Sequence, residues 1–228
     1  MKFAKGATWG AVSFTVVAAL FIMALGLRYQ LAPEFPAEAG LGLLLMFIAL
    51  GGFVFAGLLT WFFRDPDRVP GHGVVSPADG RVARVSSEGG EVKVSVHLGP
   101  LDVHVIRTPI AGRVRDARHV PGAHKLAFSK DAEANERLYL NIASETERAD
   151  LVLIAGAFAN RIVAYEGPQA EVPLEKGQRV GLIRYGSRVD LTYKGAAGTE
   201  AAVAVGDRVI AGVTPMIRPQ HAGGTGAP

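Results

Sequence analysis

The sequence predicts a mainly β domain behind an N-terminal two-helix transmembrane hairpin. Two observations near the N-terminus and one beyond it carry that prediction. The runs Gly6 to Leu27 and Ala39 to Phe63 contain no charged residue. Beyond Asp65, short β-branched or alternating runs recur between Gly, Pro and Asp. The chain has 228 residues, 49% of them hydrophobic, with 24 Lys+Arg against 21 Asp+Glu and no cysteine. That composition excludes a disordered, collagenous or disulfide-stapled chain. It also excludes a Cys-ligated zinc site, a thiol nucleophile and a Cys-bound iron–sulfur cluster.

The charge-free runs are 22 and 25 residues long. At about 1.5 Å per residue they reach roughly 33 and 38 Å, enough for a hydrocarbon core of about 30 Å. The short connection between them holds Arg28, Pro33, Glu34, Pro36 and Glu38, which makes the pair a hairpin. A secretory signal peptide would have a shorter apolar stretch and no second span directly after it. Buried core helices would carry polar residues on one face. Lys2 and Lys5 precede the first span, Arg64 and Arg68 follow the second, and only Arg28 lies in the connection. This bias predicts both termini in the cytoplasm. Trp9, Trp61, Phe62 and Phe63 lie near span ends, where interfacial aromatics collect.

The domain from residue 65 to 218 is expected to be built from strands at Arg81–Val85, Glu91–Val96, Val103–Ile106 and Gly112–Arg115. Others are expected at Arg137–Ile142, Leu151–Ala155, Arg161–Tyr165, Val180–Tyr185, Arg188–Tyr193 and Arg208–Ala211. A short helix is expected around Lys130–Glu136, and residues 219–228 read as a disordered tail. Glu175-Lys-Gly-Gln-Arg-Val-Gly181 and Val205-Gly-Asp-Arg-Val-Ile-Ala-Gly-Val213 are short strand–glycine turns. They resemble the barrel-sandwich fold of lipoyl and biotinyl domains, a likeness that speaks to fold alone.

No dinucleotide or phosphate-loop signature is present, and the six His are scattered without metal-ligand spacing. Arg113, Arg115, Arg118 and His119 form a basic run, read either as a solvated strand face or as a contact for anionic headgroups. Nucleic-acid binding is not expected, because the domain is nearly neutral and lacks interleaved aromatics. Three segments offer chemistry. Ser76-Pro-Ala-Asp-Gly80 is by itself a good turn. Asp102-Val-His104 places a carboxylate and an imidazole on one face of a strand, an acid–base arrangement. Arg184-Tyr-Gly-Ser-Arg-Val-Asp190 puts Gly186 and Ser187 between two apolar runs.

In this order behind a hairpin, the segments carry more than each does alone. Phe62-Phe-Arg-Asp-Pro-Asp-Arg68 with Ser76-Pro-Ala-Asp-Gly80 resembles the phosphatidylserine decarboxylase family in its short bacterial, pyruvoyl-dependent form. The resemblance continues through Asp102-Val-His104, Thr108-Pro-Ile-Ala-Gly112, Val120-Pro-Gly122, Asn135-Glu-Arg137, Ile154-Ala-Gly156, Arg161-Ile-Val163 and Tyr185-Gly-Ser-Arg-Val-Asp190. It implies a proenzyme that cuts itself between Gly186 and Ser187. The Ser187 hydroxyl attacks the Gly186 carbonyl, β-elimination opens the ester, and hydrolysis leaves a pyruvoyl group and ammonia. That ketone would form a Schiff base with phosphatidylserine and release CO₂ and phosphatidylethanolamine, with neither pyridoxal phosphate nor a metal. The resemblance implies His104 for proton transfer in decarboxylation and Asp79 in the self-cleavage apparatus, with Asp102 as an orienter.

The chain departs from longer relatives in carrying Arg107 where they have a second His, the presumed base of self-cleavage, and Arg188 where they have Thr. Arg107 is permanently cationic and cannot be a base. It is expected either to pair with Asp79 or to stabilise an oxyanion, leaving His104 to serve both reactions. The partners implied are phosphatidylserine in the cell (inner) membrane and the chain's own α and β pieces, with a homo-oligomer left open. The alternative is a membrane-anchored barrel-sandwich adaptor without activity, which leaves Gly186, Ser187, Asp79 and His104 together unexplained. A covalent carrier is the weaker alternative.

Overall fold

The computed structural model describes residues 2–31, 36–122, 135–156, 162–165, 172–184, 187–195 and 198–219. The chain divides into two units, Gly6–Arg64 and Met1–Lys5 with Asp65–Pro228. The first holds helices α1 (Trp9–Leu31) and α2 (Pro36–Phe62). The Thr8 carbonyl accepts the amides of Ala11 and Val12, so α1 starts there rather than at Gly6. It runs on past Leu27, because Arg28 in its last turn suits the negative end of the helix dipole.

Where α1 and α2 pack, small residues let the backbones approach. A Cβ placed on Gly42 would lie 2.9 Å from the Gly26 carbonyl oxygen, and one on Gly52 would lie 3.0 Å from the Ala19 Cβ. Outward-facing Phe14, Phe21 and Phe47 are each more than 70% exposed. Both helices are long and apolar enough to cross a membrane, and such an exposed apolar surface makes the hairpin membrane-associated.

The second unit is mainly β. An eight-stranded antiparallel sheet curls into a half-barrel with the strand order β13 (Arg208–Val209), β2 (Gly80–Glu88), β3 (Glu91–Leu98), β11 (Ser187–Lys194), β7 (Arg148–Ile154), β6 (Arg137–Ala143), β5 (Gly112–Val120), β9 (Pro173–Leu174). Two three-stranded sheets accompany it. One orders β1 (Val74–Val75), β14 (Pro215–Pro219) and β12 (Thr199–Ala201); the other orders β4 (Val105–Arg107), β10 (Arg179–Ile183) and β8 (Ile162–Ala164).

The period-2 pattern decides which side faces in. Val92, Val94, Val96 and Leu98 of β3 are buried, as are Leu138, Leu140 and Ile142 of β6 and Val189, Leu191 and Tyr193 of β11. Gly80 opens β2 at φ 146°, and a Cβ there would lie 2.0 Å from the His97 carbonyl oxygen, so only glycine lets β2 lie against β3.

Several expected boundaries move. The run at Val103–Ile106 becomes a strand only from Val105, and the one at Arg208–Ala211 ends at Val209. The helix expected at Lys130–Glu136 falls mostly outside the described residues; Asn135 and Glu136 are not helical. The tail beyond residue 219 also lies outside them.

Candidate active site

Ser187 opens β11 on its inward face, in line with Val189, Leu191 and Tyr193. It occupies a position that the alternation assigns to apolar side chains. The residue is 3% exposed, and its Oγ has no hydrogen-bond partner among the described residues. Leaving a buried hydroxyl unpaired costs about 1–3 kcal/mol, and such exceptions in folded proteins point to a role other than packing. Tyr185 and Gly186 lie outside the described residues.

His104 is fully buried. It precedes β4, and its carbonyl accepts the amide of Ile183, the last residue of β10. The chain therefore runs from a hydrogen bond with His104 to Ser187 in four residues. A second connection runs through β3, where Leu98 is the cross-strand neighbour of Ser187. Gly99, the next residue, donates its amide to Asp102 Oδ2 at 2.7 Å. His104 Nδ1 lies 2.9 Å from the Asp102 carbonyl oxygen. A carbonyl only accepts, so Nδ1 carries the proton and Nε2 of the neutral ring keeps its lone pair.

The expectation that the Asp102 carboxylate orients the imidazole is corrected in one detail. Asp102 orients it through the main chain, while its carboxylate holds Gly99 and receives Arg208 Nη2 at 2.8 Å. Asp102 and His104 do not share a strand face, because Asp102 closes the turn that starts at Gly99.

Asp79 sits just before the Gly80 contact with His97 and is 8% exposed. Arg68 grips it with both terminal nitrogens, at 2.5 and 2.9 Å, and the Ala211 amide adds a third bond at 2.8 Å. The expected pairing of Arg107 with Asp79 is therefore absent: Arg68 already fills both oxygens. Arg107 instead donates to Asp65 Oδ1 at 3.1 Å, to the Pro66 carbonyl at 2.8 Å and to the Gly177 carbonyl at 3.0 Å. Asp65 also receives Arg179 Nε at 2.5 Å, and Arg179 continues to Asp67 at 2.8 Å. Burial pulls the Arg107 pKa below its ordinary value, reinforced by Arg179 and opposed by Asp65. Three hydrogen bonds tie its terminal nitrogens into this network, while its buried Nε has no hydrogen-bond partner among the described residues.

Arg68, Asp65 and Arg208 were not among the candidate residues. Asp65 and Arg68 were legible only as members of the Phe62–Arg68 segment, and Arg208 only as part of the Val205–Val213 turn. The basic run lies on β5, where Arg118 stacks over Tyr139 at 4.8 Å and His119 bonds Glu136 at 2.7 Å. Among the described residues, no group of three or more His, Asp or Glu is placed to hold a metal ion.

A buried hydroxyl at Ser187 and a buried imidazole at His104 mark a candidate enzyme site, and the apolar hairpin points to membrane association. Comparison with known proteins narrows the class. Residues 55–216 match the family model for phosphatidylserine decarboxylase. A phosphatidylserine decarboxylase proenzyme of Thermobifida fusca is 42% identical over 220 residues, covering 95% of this chain and 93% of the relative. That of Streptomyces coelicolor is 44% identical over 173 residues, covering 75% and 78%. That of Chlorobium luteolum is 36% identical over 194 residues, covering 81% and 87%. The chain belongs to the phosphatidylserine decarboxylase family. It is accordingly a decarboxylase of phospholipid synthesis, and the inactive-adaptor alternative is set aside.

Proposed function

We propose that this chain is a proenzyme that cuts itself between Gly186 and Ser187 and then converts phosphatidylserine to phosphatidylethanolamine and CO₂. The observation that carries the reading is Ser187: a hydroxyl without a partner, buried where the sheet pattern calls for an apolar side chain. The residues fit a pyruvoyl group at that position, since a ketone there would leave no buried donor unpaired. When formed, that group supplies a carbonyl that accepts the electron pair left behind by CO₂.

The remaining work falls to this chain's own residues. His104 holds its lone pair at Nε2 because the Asp102 carbonyl fixes the proton at Nδ1. It is the proton acceptor for the Ser187 hydroxyl during maturation and the proton donor to the product carbon afterwards. Its burial keeps bulk water from competing for that proton. Asp79, clamped by Arg68 and Ala211, is a fixed negative charge of the self-cleavage apparatus. The cut leaves residues 1–186 with both spans and residues 187–228 as the small chain. Lys2, Lys5, Arg64 and Arg68 against Arg28 support a cell-membrane enzyme with both termini, and so the catalytic domain, in the cytoplasm.

The test follows purified chains on denaturing gels together with CO₂ release. The parent should yield a 42-residue fragment with a blocked N-terminus. Ser187→Ala should stay intact and inactive. His104→Gln should lower turnover by about 10²–10⁴-fold in whatever fraction matures. A 42-residue fragment from Ser187→Ala would overturn the assignment.

A further inference from the structure

We propose that a groove lined by Asp102 holds the phosphodiester of the lipid substrate on Arg81 and Arg208, with Leu101 and Val205 against its glycerol and acyl region. The inference rests on the serine-phospholipid reading above and gives that substrate a position. The groove has a volume of about 630 Å³, and its lining includes Arg81, His97, Leu101, Asp102, Val205 and Arg208. That size suits a small-molecule or headgroup site.

The register of the sheet assembles the charges. Arg208 of β13 stands opposite Arg81 of β2, and Arg81 stands opposite His97 of β3, so the three share one face. Like charges directly opposite each other are unfavourable unless an anion lies between them. Their partners here compensate only in part. Arg208 shares one carboxylate oxygen of Asp102, and Arg81 donates to the neutral Gly206 carbonyl at 3.1 Å. Burial, reinforced by Arg188, holds the His97 pKa below the ordinary imidazole range, so His97 adds no compensating or competing charge at neutral pH. Two exposed guanidinium forks facing one groove match the two non-bridging oxygens of a phosphodiester.

The rim points to a lipid rather than a free anion. Leu101 and Val205 flank the groove and are 63% and 64% exposed. A large apolar side chain so exposed on each side of a cationic groove suits a ligand that is anionic at one end and apolar at the other. The groove also borders residues that touch the candidate site. Leu98 in its lining is the cross-strand neighbour of Ser187. Asp102 holds Arg208 with its carboxylate and His104 with its carbonyl. Asp102 thus connects the proposed phosphate position to the His104 imidazole.

The test uses the full chain carrying Ser187→Ala, in detergent micelles, titrated with dihexanoylphosphatidylserine and followed by ³¹P NMR. This background binds without turning over, so the readout is independent of activity. The phosphorus resonance should shift saturably. Arg81→Gln should weaken binding about tenfold, the lower end of what a hydrogen bond to a charged group contributes. Arg208→Gln should do the same, and Arg208→Lys should recover part of the loss. Arg81 bonds only one loop carbonyl, so its variant is the one least able to disturb the fold. Double Arg81→Gln/Arg208→Gln protein that titrates like the background, or inorganic phosphate binding as tightly as the lipid, would overturn the proposal. A parent chain that releases no CO₂, with the phosphorus shifts intact, would instead overturn the activity and leave the groove standing.

Discussion

Replacing Asp65 with Asn isolates what holds Arg107 in the interior. Asp65 and Arg107 have side chains 6% and 3% exposed, so neither charge is solvated once its partner goes. In Asp65→Asn the Arg107 guanidinium keeps the Pro66 and Gly177 carbonyls but loses the one carboxylate it bonds among the described residues. Arg179 fares better, because it retains Asp67. Breaking one side of a buried ion pair costs about 3–5 kcal/mol. For a unit of this size each kcal/mol moves the melting temperature by roughly 2–4 °C, so a fall of about 6–20 °C is expected. Arg107→Met should cost less, since Asp65 keeps Arg179. Asp65→Leu combined with Arg107→Met should cost less than the sum of the single changes. The assay is thermal unfolding of the uncut full chain carrying Ser187→Ala, at fixed pH and detergent. Asp65→Asn melting within about 2 °C of that background would refute the reasoning, as would a double variant whose loss equals or exceeds the sum of its single changes.

Two further outcomes are expected. His97 has a folded pKa below its ordinary value of 6.5, so the unfolded chain takes up a proton that the folded one resists. Stability is then fully present above pH 6.5 and falls as the pH drops through that value toward the folded pKa; His97→Gln should flatten the melting temperature between pH 7 and 5.5, and an unchanged slope would count against it. Gly42→Leu places a side chain where a Cβ already meets the Gly26 carbonyl at 2.9 Å. It should force α1 and α2 apart, and a cysteine pair placed across the crossing should crosslink readily in the parent and poorly in the variant.

The hairpin was legible because lipid requires charge to be missing from every face, a property of composition alone. Strands β2, β3, β6 and β11 were legible because each buries alternate residues. Strands β1, β12 and β14 were not: they are two to five residues long and pair segments far apart, such as Val74 with Ile217. The site divides the same way. Ser187, His104, Asp79 and Asp102 could be picked out by type and spacing. The charge partners of Asp79, Arg107 and Asp102 could not, because Arg68, Asp65 and Arg208 reach them across 11, 42 and 106 residues of chain. Sequence adjacency also suggested the wrong atom of Asp102, since a turn at Gly99 draws its carboxylate away and presents its carbonyl to the imidazole.

The place of β11 bears on what a cut before Ser187 would do. β11 lies between β3 and β7, not at an edge, and pairs with β3 from Ser187 and with β7 from Arg188, in both cases as far as Lys194. β12, β13 and β14 follow it in the same small chain, yet lie against β14 and β1 in one sheet and against β2 in the other. The two products of such a cut would therefore be interleaved, and neither could leave without opening the core. What changes is the order of the unfolding reaction. An intact chain unfolds as one molecule; a cut one releases two, and its melting temperature then rises with protein concentration, as it does for an obligate dimer.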